Sequence, residues 1–171
     1  MNPKLKDYLV PIGKLTIAAA FLEEVVIRWG ALLSEGDHLD THSKSLLRGP
    51  DKNLDFLADR VKIRISPTSQ RRVLDLIETG RTLKNRRNEN VHGVWVEMVD
   101  VDTGAFSKVA RSRYEKDATG KLIWDHHTPT IPELEQLAAD LNKNARELNE
   151  CVADLWDTDE KVQRWRAKHG F

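Results

Sequence analysis

"IPELEQLAADLNKNARELNECVADL" (residues 131–155) decides how this chain folds. Ile131, Leu134, Leu137, Leu141, Ala145, Leu148, Val152 and Leu155 step by three or four, which draws one apolar stripe down a helix. Leu134, Leu141, Leu148 and Leu155 repeat every seven residues, as in the long helices of bundles and helical dimers. Pro132 opens the helix, where a first-turn proline is tolerated. A stripe of that length has to be covered, and covering it takes further helices from the rest of the chain.

Working back from it, the N-terminal third supplies one. Leu5, Tyr8, Ile12, Leu15, Ala19, Leu22, Val26, Trp29 and Leu33 form a second stripe. Pro11 and Gly13 interrupt it, so the continuous helix is expected to start near Pro11. "SEGDHLDTHSK" (34–44) reads as a polar loop. A helix begins after "RGPD" (48–51) with Leu54, Leu57, Val61 and Ile65 on its face. Ser66 then makes an N-cap and Pro67 a first helical residue. The helix they open carries Val73, Leu76, Ile77, Leu83 and Val91 and ends near Gly93.

After Gly93 the period changes from helix to strand. "VWVEMVDV" (94–101), "AFSKVARSRY" (105–114) and "KLIW" (121–124) are separated by the turn signals "DTG" (102–104) and "KDATG" (116–120). This predicts a small antiparallel β-meander inserted at about 94–125, with Trp95 and Trp124 either packed across it or stacked on bases. "TDEKVQRWRAKHGF" (158–171) reads as a frayed or separately packed tail. The expected fold class is mainly α: one domain over the 171 residues, a bundle of about four helices with the meander inserted.

Composition narrows the function classes. The formal net charge is zero, so bulk charge does not argue for nucleic acid. Its distribution is uneven. Arg60 to Arg87 is basic, with only Asp75 and Glu78 as acids, while Glu133 to Glu160 is acidic. Two readings follow: packed segments that neutralise each other, or an anion site on the basic one. The single Cys151 supports neither a disulfide framework nor a cysteine metal site, which places the chain in a reducing cytoplasm. No stretch approaches a membrane span, and "LTIAAAFL" (15–22) reads as a buried helix face. His38, Asp40 and His42 alternate in "DHLDTH" (37–42), but a loop there does not supply metal geometry, and no metal or cofactor is expected.

The remaining signal is "RRNENVHGVW" (86–95), at the end of the third helix. At about 100° per residue, Val73, Leu76, Gly80 and Leu83 lead to Arg87 as the next position on the apolar stripe. An arginine there needs a buried carboxylate, a stem laid along the helix, or an open cleft. Asn88 and His92 share a flank of the stripe with Arg81 and Asn85. His92 also stands where a cation complements the helix dipole, and Gly93 suits a C′ position.

Arg87-Asn88-Glu89-Asn90-Val91-His92 resembles the R-x(4–6)-H motif of the HEPN superfamily, with its polar residue directly after the arginine. The resemblance implies a helical bundle, a homodimer, and a metal-independent RNA endonuclease of the kind found in toxin–antitoxin, phage-defence and RNA-processing systems. It implies Arg87, Asn88 and His92 as catalytic residues, with RNA as substrate and an antitoxin or regulatory protein as a further partner. The tyrosine that follows the histidine by two residues in one toxin branch is replaced here by Val94. Arg81, Lys84 and Arg86 are expected to hold the RNA backbone. Arg87 and His92 point about 140° apart on a straight helix, which leads to the expectation of a site completed by a second copy of the chain. The alternative is a catalytically silent HEPN-like module that binds nucleic acid or a protein.

Overall fold

The computed structural model describes residues 4–35, 38–116, 119–125 and 128–170. In chain order these form α1 (Leu5–Leu32), α2 (His38–Leu46), α3 (Pro50–Arg64), α4 (Pro67–Val91), β1 (Val94–Val99), β2 (Phe106–Lys116), β3 (Leu122–Asp125), α5 (Ile131–Thr158) and α6 (Glu160–His169). The chain is mainly α with a small antiparallel sheet, as its periodicity predicts. The Leu134, Leu141 and Leu148 stripe of α5 is fully buried, and its longest partner is α1. Thr130 and Glu133 close a capping box on α5, so Pro132 follows a well-made N-terminus.

Side-chain contacts give the directions. Lys14 pairs with Glu135 at 2.9 Å, and Arg28 and Trp29 both donate to Asn149 Oδ1, so α1 and α5 run parallel. Leu22 packs at Gly80 and Tyr8 stacks on Trp95 at 5.0 Å, so α4 runs against α1. At Gly80 a Cβ would stand 2.8 Å from Asn144 Oδ1, on α5. Asn144 is buried and donates to the Leu76 carbonyl at 3.1 Å, so this glycine lets an α5 amide reach the α4 backbone.

The sheet order is β1-β2-β3, with Val94 opposite Ser112 and Val96 opposite Ala110. The expected meander is therefore present, with a bulge between Met98 and Val99. The Trp95 ring packs on Tyr8 and its Nε1 donates to the Asn90 carbonyl, so Trp95 is a packing residue. The Trp124 side chain, and His126 with His127, lie outside the described residues.

Three expectations are corrected. The first helix begins at Leu5 and runs through Pro11. The turn before the proline is capped by the Lys4 N–H donating to Asp7 and anchored from outside, where the Leu5 N–H donates to Glu97 and Tyr8 is buried. The stretch read as a polar loop contains α2, held by an Asp40–Lys44 pair and by Asn53 donating to the Ser45 carbonyl at its end. The stretch read as a tail is α6, packed through Val162 and Trp165.

Asp159 explains why α6 is ordered. It ends α5 and caps α6, accepting from the Lys161 and Val162 N–H groups, and it also accepts from the Ser66 N–H and hydroxyl. Ser66 is thus at the N-cap of α4 as expected, but its hydroxyl serves Asp159 instead of the helix it precedes. Burial works to raise the Asp159 carboxyl, and the hydrogen bonds from Ser66, Val162 and Lys161 outweigh it and hold the carboxyl below its ordinary value.

A carboxyl held low in the folded state stabilises fully above the unfolded pKa of about 3.9, and loses that contribution as pH falls through the folded value. Asp159→Ala is expected to cost about 2 kcal/mol at pH 7 by loss of the cap and the Ser66 bonds. The wild-type advantage should shrink in denaturant titrations run stepwise below about pH 4, the ordinary aspartate range.

Candidate functional site

The end of α4 is unusually well closed. A helix leaves its last carbonyls without internal partners. Here the Asn88 carbonyl accepts from the His92 N–H at 3.1 Å, the Glu89 carbonyl from Arg111 Nη1, and the Asn90 carbonyl from Trp95 Nε1 at 3.1 Å. Two of these three donors come from the meander. His92 itself is the C-cap residue, and its side chain is exposed.

Gly93 serves this closure in a way its place after the helix does not reveal. Its φ is not positive, so it is not the left-handed cap residue expected from the sequence. A Cβ on it would stand 2.5 Å from Arg111 Cγ and 2.9 Å from Arg111 Cδ. The glycine clears a path for the buried Arg111 stem to reach the Glu89 carbonyl. Arg111 is the site-forming residue that sequence reasoning missed. It lies on β2, and nothing near it in the chain signals its destination.

Arg87 is half-buried, as its wheel position predicts. Its Nη1 donates to Asn88 Oδ1 at 3.1 Å, and it has no carboxylate partner among the described residues. Its buried Nε has no hydrogen-bond partner. Asn88 stands about 100° round from Arg87 and about 40° from His92. The Arg87–Asn88 bond therefore draws the guanidinium off the stripe and toward the His92 flank. One chain thus supplies part of the convergence that the wheel alone would assign to a second copy.

The three bases expected to hold RNA do not stand together. Arg81 donates to Asp55 at 2.6 Å and to Glu78 at 3.2 Å. The hydrogen bond that Arg81 donates to Asp55 is the main reason its pKa is raised above the ordinary arginine value. Lys84 is 4% exposed and paired with Asp51. Asp51 and Asp55 lie on α3, so these charges serve helix packing, and Lys84 is corrected from a groove residue to a buried one. It is the fully buried cation of α4, at the i+4 position from Gly80 and the i+7 position from Ile77 on the core stripe. Arg86 is exposed on the opposite flank, about 120° round from His92. It lines a cleft of about 150 Å³ with Glu89, Asn90, Arg111, Glu133 and Leu137.

Charge neutralisation between the basic middle and the acidic end is therefore only partial. α4 packs on α5, but its strongest ion pairs go to α3. A larger cleft of about 600 Å³ between the start of α4 and the end of α5 carries Arg71 and Arg72 beside Asp75, Glu150 and Asp154. The signs are mixed there, and burial pushes the Cys151 thiol up, away from a reactive thiolate. His38 Nδ1 lies 3.0 Å from the Ala31 carbonyl and Asp40 is held by Lys44, so these two side chains are turned to other partners. Among the described residues no group of three or more His, Cys, Asp or Glu is placed to hold a metal. No helix among them is long and apolar enough to cross a membrane.

No family model, curated protein or solved structure matches this chain.

The Lys84–Asp51 pair makes an asymmetric prediction. Asp51→Ala leaves an ammonium buried without a partner and should cost about 2 kcal/mol in denaturant unfolding. Lys84→Met keeps the stem buried and leaves only an exposed carboxylate, so it should stay within about 1 kcal/mol of wild type.

Proposed function

We propose that the chain is a HEPN-type endoribonuclease that needs no metal and cleaves RNA by attack of a ribose 2′-hydroxyl on the adjacent phosphorus. His92 takes the 2′-hydroxyl proton as the oxygen–phosphorus bond forms. The bond from phosphorus to the 5′-oxygen breaks, and the proton taken by His92 passes to the departing oxygen, directly or through water. The products are a 2′,3′-cyclic phosphate and a 5′-hydroxyl. Imidazole is the one group in the motif suited to moving a proton near neutral pH. The Arg87 fork fits two oxygens of the pentacoordinate phosphorus as charge builds on them, and Asn88 orients that fork.

The observation that carries the reading is the contrast along α4. Arg81 and Lys84 are matched by α3 carboxylates, whereas among the described residues Arg87 is held by the neutral amide of Asn88, and His92 stands exposed one turn beyond that asparagine. A structural motif would be expected to pair its cation with an acid, and this one leaves the guanidinium free to meet an anion. Arg86 is the remaining exposed base near the end of the helix and is the proposed backbone contact. The resemblance further implies a homodimer and, for a toxin or defence effector, a regulatory partner protein. One observation favours the second reading, a silent HEPN-like interaction module: the ion pairs to α3 leave fewer basic groups for RNA than the sequence promises.

Incubation of the purified protein with total RNA, followed by end-group analysis, separates the two readings. Wild type should generate cyclic phosphate ends. His92→Ala should lower the rate by about 100-fold or more, and Arg87→Lys by about 100-fold through loss of the fork. Cleavage that survives His92→Ala unchanged would remove His92 from the chemistry, and RNA binding without cleavage by wild type would favour the silent module.

A further inference from the structure

The corner between α2 and α3 holds two arginines that the bundle does not neutralise. The Phe56 ring of α3 is seated on α1, where a Cβ at Gly30 would stand 3.1 Å from Phe56 Cδ1. Arg48, in the turn before α3, lays its guanidinium carbon 4.3 Å from the centre of that ring, and Arg60 lays its own at 5.1 Å. One phenyl group therefore holds the two charges less than about 10 Å apart. Like charges that close repel, and a carboxylate between them is the usual remedy. Among the described residues neither guanidinium has a hydrogen-bond or carboxylate partner, and Arg48 Nη1 and Arg60 Nε are buried without one. The acids of α2 and α3 are engaged elsewhere: Asp40 holds Lys44, Asp51 holds Lys84, and Asp55 holds Arg81. Asp59, exposed beside Arg60, is the exception. Lys52, one turn before Phe56, is exposed and adds a third positive charge.

This corner stands beside the motif. Asp51 meets Lys84 and Asp55 meets Arg81, so α3 and α4 run antiparallel in that register. Carried one turn further, the register sets the turn at Arg48 level with Asn88. On the α4 wheel Asn88, Arg81 and His92 lie about 40°, 60° and 80° round from Lys84. Asn88 and His92 are thus on the flank that faces α3. On the α3 wheel Lys52, Phe56 and Arg60 advance in steps of about 40°, away from the edge that carries Asp51 and Asp55.

We propose that Arg48, Lys52 and Arg60 form an exosite for the RNA backbone, which the strand meets as it leaves His92 over the α2–α3 turn. The inference rests on the ribonuclease reading for its ligand. The cations that α4 turns to α3 are neutralised, and these three on α3 take over the task of holding phosphates. An RNA strand carries one charge per nucleotide, so fixed guanidiniums can each take a phosphate without reading sequence. Stacking on Phe56 restricts both arginines before the strand arrives, which lowers the ordering cost of binding.

Fluorescence anisotropy of the full chain with a labelled single-stranded RNA tests the proposal. The 2′-hydroxyls of that RNA are methylated, so it binds but offers no attacking group. Wild type should bind, and more weakly as salt rises. Arg48→Gln combined with Arg60→Gln should weaken binding by about 10-fold or more, and should lower the slope of log affinity against log salt by about 1.4. Arg48→Lys combined with Arg60→Lys should keep most of the affinity and the slope, because the charges remain. Lys52→Gln, at an exposed side chain that the fold does not need, should lower the slope by about 0.7. Arg164→Gln, exposed on α6, should change neither quantity. Neither inorganic phosphate nor polyglutamate, at equal charge and ionic strength, should displace the oligonucleotide. If the arginines serve only to cover Phe56, the glutamine pair lowers thermal stability and leaves the salt slope unchanged, which overturns the exosite. So would a wild type that does not bind, an unchanged slope in Lys52→Gln, an equal loss in Arg164→Gln, or displacement by phosphate or polyglutamate. Cleavage of unmodified RNA is read separately. Binding through these residues without cleavage sinks the ribonuclease reading alone, and cleavage with the slopes unchanged sinks the exosite alone.

Discussion

The end of α4 sets the terms for the rest of the molecule. A helix of 25 residues that stops against other elements must find donors for its last carbonyls or lose more than its packing returns. The β-meander supplies them, with Arg111 reaching the Glu89 carbonyl and Trp95 the Asn90 carbonyl. That one requirement accounts for several features at once. It explains why a sheet is inserted at that point in a helical chain, and why position 93 is a glycine. It explains why Trp95 is turned toward the bundle, where Tyr8 covers it. It also fixes the backbone on both sides of His92, so an exposed imidazole stands on a rigid platform. Side chains that do chemistry gain from such support, because their geometry is set before the substrate arrives.

The charges on α4 divide by flank. Those facing α3 are neutralised by Asp51 and Asp55 and help close the bundle. Arg86 faces the cleft formed with α5 and the meander. Arg87 lies between them, and an amide, not a carboxylate, decides where its guanidinium goes. A hydrogen bond to a neutral group holds an arginine in place without cancelling its charge. Such an arrangement suits a site that must later accept an anion.

Much of the fold was legible in the sequence. The heptad of α5, the stripe of α1, Pro67 behind Ser66, and the change of period at Gly93 are all local patterns, and local patterns report local structure. What could not be read depends on groups far apart in the chain. Pro11 argues against a helix until Glu97 and Trp95 anchor the turn before it. The short α2 is too polar to show a stripe, and Asn53 closes its end. α6 looks like a tail until Asp159 is seen to join it to Ser66, 93 residues away. At the site, the motif itself was visible, and so was the unusual place of Arg87. The buried state of Lys84 was within reach of the same wheel, since the stripe passes through it, but Asp51 could not be assigned to it from the sequence. Arg111 left no local trace.

The pairing of α1 with α5 orders events during synthesis. The two helices are separated by roughly 100 residues. At about 5–20 residues per second, the ribosome needs about 5–20 s to make what lies between them. Through that interval the α3–α4 hairpin can close on itself through short-range contacts, while α1 has Leu15 and Leu22 uncovered on one side and Leu9, Ile17 and Phe21 on the other. A nascent chain in that state is open to chaperones and to its neighbours on the same message. α5 ends the exposure of the first side, and the second stays uncovered after the bundle has closed.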